Sequence, residues 1–189
     1  MVFKGIFMNR RVCSLIVAVA ICAVLGLADN CHGKSRPAAE YQVKAAYIYN
    51  FAKFVEWPSK VFSNANSPII IGVLGDDPFG DTLEQTIKDK TVNGRRLQVR
   101  RFDKTSDVGV CHMLFVSSSE KMRLSKALDR VKDSNVLTIG EMGGFARQGG
   151  MIGFTMEGNK VGFEINLERA KKAGLNVSSQ LLKVAKVVR

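Results

Sequence analysis

IIIGVL, residues 69–74, is an unbroken apolar run closed by the turn residues Gly75, Asp76, Asp77 and Pro78. A strand with one solvated face alternates apolar and polar side chains. Six apolar residues in succession belong instead to a strand covered on both faces, as in a parallel sheet wrapped by helices. Two later runs repeat the pattern: CHMLFV at 111–116, and VLTI at 136–139, which Gly140 closes. Helical signals lie between them. The segment 79–88 places Leu83 and Ile87 on one inward face. Ser117 to Ser119 offer N-caps for a helix running to Val131, with Met122, Leu124, Leu128 and Val131 as its apolar stripe. Asn93-Gly94 marks a tight turn before 97–102, where apolar and charged residues alternate as on an edge strand.

Toward the C-terminus, 151–156 and 160–166 read as two strands joined by Glu157-Gly158-Asn159, a hairpin signal. A short helix over 167–173 then ends at Gly174. Ser178 or Ser179 caps a last helix in which Leu181, Leu182, Ala185 and Val188 share one face, opposite Lys183 and Lys186. This order of elements predicts an α/β fold: a three-layer sandwich with a mostly parallel sheet, helices on both faces and a C-terminal antiparallel hairpin.

Upstream of the first strand lies EYQVKAAYIYNFAKFVEWP, residues 40–58. On a 3.6-residue period Val43, Tyr47, Ile48, Phe51, Phe54 and Val55 gather on one arc, and Gln42, Tyr49 and Lys53 lie opposite, as in an amphipathic helix packed on the sheet. Pro58 ends it near Glu56 and leaves Trp57 at an exit corner.

Lys4, Arg10 and Arg11 precede an apolar run from Val12 to Leu27, after which small and polar residues take over. The run is shorter than a bilayer-spanning helix requires, and the pattern is that of a secretory signal peptide over 1–33, with cleavage after Ala28 or Gly33. The remainder, 34–189, is expected to form a single domain. Ile21 precedes Cys22 and Asn30 precedes Cys31, which is not the small-residue pattern of a lipoprotein cysteine. Cys13 and Cys22 leave with the leader, and Cys31 leaves too if cleavage follows Gly33. Cys111 then stands alone in an apolar run and is expected to be buried, with no disulfide.

The formal net charge is +11, and a leader carrying Lys4, Arg10, Arg11 and Asp29 accounts for two of those charges. The surplus is scattered. Its densest cluster, Arg95, Arg96, Arg100 and Arg101, flanks a turn. No nucleic acid partner is expected of such an exported chain; a basic surface facing an acidic partner or acidic lipid is the better reading.

Enzyme readings fail on the residue inventory. His112 is the only histidine left after maturation, which excludes multi-histidine metal sites. Cys111 and His112 are neighbours on a strand and so point to opposite faces. There is no G-x-S-x-G elbow, no phosphate-binding G-x-x-x-x-G-K-[ST] loop, and no G-x-G-x-x-G after a strand. Asp76 and Asp77 read as caps of the following turn. The four glycines of EMGGFARQGG, residues 141–150, read as positions of unusual backbone conformation. No cofactor and no metal is expected. A small-molecule site at the strand-exit loops near Asp76 and Gly143 is the alternative reading, because open α/β sheets bind ligands there.

With VLGDDPFG, VNGRRL and the opening helix, the tract GFARQGGMIGFTMEGNKVGFEINLERAKKAGLNVSSQLLKVAKVV resembles the YfiR family. The resemblance implies a periplasmic α/β protein without catalysis. Such a protein binds the periplasmic domain of an inner-membrane diguanylate cyclase and holds it inactive, and so controls cyclic di-GMP and biofilm formation. A peptidoglycan-associated outer-membrane lipoprotein relieves the repression by sequestering it. The family pattern includes two disulfides. Here only Cys111 matches one half, since the opposing strand offers Ile71 and Gly72 and the segment 143–152 has no cysteine. Composition suggests a partner-binding set of Phe145, Arg147, Phe154, Glu164, Ile165, Leu175 and Leu182, the aromatic, aliphatic and arginine types that anchor interfaces. Strand alternation divides the set between core and surface. Whether the chain also forms a homodimer stays open.

Overall fold

The computed structural model describes residues 36–188. The expected leader, its cleavage site and Cys13, Cys22 and Cys31 lie outside the described residues. The elements are helix α1 (Arg36–Phe54), β1 (Val55–Glu56), β2 (Ile69–Leu74), α2 (Thr82–Ile87), β3 (Thr91–Val92), β4 (Arg95–Phe102), β5 (Met113–Val116), α3 (Leu124–Val131), β6 (Leu137–Gly140), β7 (Ile152–Glu157), β8 (Lys160–Asn166), α4 (Leu167–Lys172), β9 (Asn176–Val177), α5 (Ser179–Leu182) and β10 (Lys186–Val188). The main sheet has eight strands in the order β10-β8-β7-β6-β5-β2-β4-β3. Only the β7–β8 and β3–β4 pairs are antiparallel; the others are parallel. The parallel centre with a C-terminal hairpin is the fold expected from the apolar runs.

All six residues of β2 are buried, as are all four of β5 and of β6. Their side chains divide between two cores. Ile69, Ile71, Val73, Met113 and Phe115 meet Ala45, Ile48, Phe51 and Ala52 of α1 and Leu83 and Ile87 of α2. Ile70, Leu74, Leu114 and Val116 meet Leu124, Ala127 and Val131 of α3 on the other face. Gly72 sits on this second face because Phe102 needs the space: a Cβ there would lie 2.8 Å from the phenylalanine ring.

Several local expectations give way to long-range pairing. α1 stops at Phe54 rather than near Glu56, because Val55 and Glu56 leave the helix to pair antiparallel with Val177 and Asn176 of β9. Val43 is exposed, and Lys44 occupies the buried helical position beside it. Met122 is 93% exposed, for it falls in a 3-10 stretch, Ser118–Arg123, that precedes α3. Ala127 takes its place in the apolar stripe. The expected C-terminal helix is a single turn, Ser179–Leu182. The chain after it becomes β10, with Lys186, Val187 and Val188 paired parallel to Glu164, Ile165 and Asn166. Val188 is therefore buried as a strand residue. A tract such as LLKVAKVV suits either period, and the free ladder of β8 decides between them.

The aromatic face of α1 holds the first core together. Phe51 is fully buried, and its ring centroid lies 5.0 Å from that of Phe163 and 5.8 Å from that of Phe154. Phe51→Ala is expected to lower the unfolding free energy by about 3–5 kcal/mol, read from denaturant midpoints at constant slope. A loss below about 1 kcal/mol would show that α1 packs elsewhere.

Candidate functional site

The carboxyl ends of β2, β5 and β6 lie together and feed the loops 75–81, 117–119 and 141–150, the end at which open α/β sheets present their sites. The first turns of α1 cross this end. Lys44 is 3% exposed, and its Nζ lies 2.5 Å from Oε1 of Glu40 and 2.7 Å from Oε2 of Glu141. The Tyr41 hydroxyl donates to the same Glu141 oxygen at 3.1 Å. The ammonium also lies 4.5 Å from the centroid of the Tyr41 ring. Burial, and then the charge of Glu141, push the Tyr41 hydroxyl well above its ordinary range, so it remains a donor. A buried ammonium carries a large desolvation cost, which two carboxylates and an aromatic face offset here. Beside this cluster is a cavity of about 510 Å³ whose lining includes Tyr41, Lys44, Ser118, Glu141, Gly143 and Phe154.

Gly143 thus lines a strand-exit cavity, whereas Asp76 and Asp77 do not. Asp77 is used internally: Oδ1 accepts from the Phe79 amide at 2.8 Å and Oδ2 from Nε of Arg101 at 2.7 Å. Arg101 also pairs with Glu84 and donates to the Gly80 carbonyl at 2.8 Å. The hydrogen bond from Arg101 holds the Glu84 carboxyl below its usual range. Asp77 caps the turn, as expected from the sequence, and is also an ion-pair partner, which was not expected; Asp76 is exposed. The next loop is fastened alike, since the buried Glu120 accepts from Nη2 of Arg123 at 2.6 Å and from Nε at 3.0 Å.

The glycine-rich loop is a seat for one aromatic ring. Phe145 is fully buried, and a Cβ on Gly140 or Gly150 would stand 2.4 Å or 2.1 Å from its ring. Gly144 and Gly149 do adopt positive φ, as expected, but the flanking pair is glycine for clearance.

The seven residues singled out for partner binding are spread over both faces. Phe145 belongs to the second core. Phe154, Ile165 and Leu175 belong to the first, all buried. Glu164 is buried at 4% and lies 3.5 Å from Nη2 of Arg147, whose side chain is 56% exposed. Leu182 is half-buried at the edge of the first core. Arg147 and Leu182 are the members with solvent-facing atoms. The Lys44, Glu40, Glu141 and Tyr41 cluster is a constellation that sequence reasoning missed. Its signal was a lysine between Val43 and Ala45 on an apolar helix, together with a glutamate directly after a buried strand.

Cys111 and His112 fall at the opposite end of the sheet. Cys111 is buried, and burial pushes its thiol up to about 12, so it is no thiolate. His112 Nδ1 accepts the Ile70 amide at 3.0 Å, its ring stacks on Phe62 at 4.6 Å, and its carbonyl accepts from Nε1 of the half-buried Trp57 at 3.1 Å. Trp57 thus pins the corner after α1, where an exit residue was expected. Among the described residues no group of three or more histidine, cysteine or acidic side chains is placed to hold a metal ion, and no helix is long and apolar enough to cross a membrane.

The family described as YfiR/HmsC-like matches residues 41–186. The chain belongs to that family. The YfiR/HmsC-like family is regulatory rather than catalytic, in keeping with a histidine and a cysteine that serve packing. The chain is also similar to the crystal structure of a conserved domain protein from Vibrio cholerae O1 biovar El Tor str. N16961, with a TM-score of 0.54 and 10% sequence identity. The likeness covers 79% of this chain and 60% of that one, so the YfiR/HmsC-like chain spans about three fifths of its structural neighbour. At such an identity it shows the fold alone. No curated protein matches the chain.

Burial lowers the His112 pKa below its ordinary 6.5. A depressed folded-state pKa stabilises the fold above the unfolded value, and this contribution is lost as pH falls through the folded value. The unfolding free energy is therefore expected to drop between about pH 7.5 and about pH 5 by more in the natural protein than in His112→Gln, which lacks the titration. Parallel profiles from chemical denaturation would contradict the neutral, acceptor role of Nδ1.

Proposed function

We propose that this YfiR/HmsC-like protein works in the periplasm as a repressor. It contacts the periplasmic domain of an inner-membrane diguanylate cyclase and holds that enzyme inactive. A peptidoglycan-associated outer-membrane lipoprotein relieves the repression by sequestering it. The observation that carries the reading is the family match across residues 41–186, nearly the whole described chain. The chemistry supports it. The thiol of Cys111 is buried and protonated, Nδ1 of His112 is spent on a backbone amide, and the strand-exit carboxylates of Asp77, Glu120 and Glu141 are tied to arginine or lysine. Influence then comes from surface complementarity. Arg147, steadied from behind by Glu164, and Leu182 are the members of the expected partner-binding set whose atoms reach solvent. They stand on different faces of the sheet, and we assign the contact to the surface around Arg147.

A small-molecule binding protein is the second reading, favoured by the 510 Å³ cavity beside Lys44 and Gly143. It ranks below the first because Lys44, Glu141 and Tyr41 already satisfy one another.

Deleting the gene in its own host is expected to raise cellular cyclic di-GMP and biofilm mass. An exported copy should restore both, and Arg147→Glu should restore them less well. Unchanged cyclic di-GMP after deletion would remove the repressor reading.

A further inference from the structure

The main sheet ends in two edges, and they differ. β10 has three residues. At the other end β3 covers only Arg95 and Arg96 of the eight-residue β4, through Val92 and Thr91. From Leu97 to Phe102, β4 pairs with β2 on one side, and no described strand lies on the other. The Phe102 carbonyl turns toward the β2 side, where it accepts the Gly75 amide at 3.0 Å. Strand alternation then turns the amides and carbonyls of Leu97, Val99 and Arg101 outward, in line with Arg95, which meets β3. A row of outward backbone groups is a template for another strand.

Beside this edge, between the end of α2 and β4, runs a groove of about 800 Å³ whose apolar lining is Ile87, Leu97 and Val99. On the opposite face of the same strand stand the exposed Arg96, Gln98 and Arg100. The four arginines of this region do different things. Arg95 lies over the Phe62 ring at 3.8 Å and donates to the carbonyls of Asn64 and Ser67. Arg101 is held by Asp77 and Glu84. Among the described residues Arg96 and Arg100 have no carboxylate within ion-pair distance.

We propose that the open edge of β4 is a docking site for an extended acidic segment of a partner polypeptide, which adds to the sheet as a further strand. Its main chain bonds the outward groups of Leu97, Val99 and Arg101. Its aliphatic residues enter the groove over Leu97 and Val99. Its carboxylates, on the alternate face, meet Arg96 and Arg100, so the two-residue period of an added strand matches both surfaces at once. A second copy of this chain is not the occupant, for pairing two β4 edges would set arginine rows against each other, and directly opposed like charges destabilise a strand pair. The inference stands on the sheet edge and its charge, and does not require the repressor reading.

Hydrogen exchange of the purified protein tests it, with capped peptides of alternating glutamate and valine, or lysine and valine, as probes. The acidic peptide is expected to slow exchange at Leu97, Val99 and Arg101 by about tenfold or more, with no such slowing from the basic one. The double substitution Arg96→Glu and Arg100→Glu, both at exposed positions, is expected to reverse the preference, with unchanged protection of β5 reporting that the fold is intact. Absence of slowing with saturating acidic peptide, or equal slowing by the two peptides, would overturn the proposal.

Discussion

Burial of β2, β5 and β6 on both faces is the constraint from which the rest of the architecture follows. A strand with apolar side chains above and below cannot stand at a surface. Each large side chain so covered contributes roughly 1.5–3 kcal/mol relative to exposure. Two covering layers are therefore required. α1 and α2 supply one, and α3 with the loop 141–150 supplies the other. Space within these layers is set by individual residues: Gly72 admits Phe102, and Gly140 and Gly150 admit Phe145. What remains for interaction is the periphery, namely the two sheet edges, the strand-exit end and the outer helix faces.

At the strand-exit end three basic residues fasten loops. Lys44 ties α1 to the loop after β6, Arg101 ties β4 to the loop after β2, and Arg123 ties down Glu120 after β5. Arg101 and Arg123 reach solvent, whereas the Lys44–Glu141 pair is buried, and a buried pair adds little net stability because desolvation offsets most of its Coulomb energy. Removing one partner is costly, because it strands the other charge. The effect of the three ties is to hold three loops in one arrangement. A rigid end built this way suits a protein whose proposed role is to present surfaces to other polypeptides rather than to move protons or groups.

The sequence made the centre of the fold legible because buried parallel strands leave an unbroken apolar run that little else produces. The hairpin β7–β8 and the inward Leu83 and Ile87 were visible for similar local reasons. β9, β10 and the pairing of Val55 with Val177 were not, because a two- or three-residue strand exists only through its distant partner. Lys44 was hidden because its burial depends on Glu141, nearly a hundred residues away. The site was harder still. Interface anchors and core residues are the same amino-acid types, so composition groups Phe145, Phe154 and Ile165 with Arg147, and only the fold separates buried from exposed. The family resemblance was legible because several separated motifs recur in order, which no single burial pattern would produce.

The proposed role of this YfiR/HmsC-like domain is to bind another polypeptide. The direct measurement is calorimetric titration of the purified protein into the periplasmic domain of a diguanylate cyclase from the same genome. Saturable association with a fixed stoichiometry and a negative heat-capacity change from buried apolar surface are expected. No heat and no complex at concentrations of about 100 μM, above typical weak-encounter affinities, would contradict it.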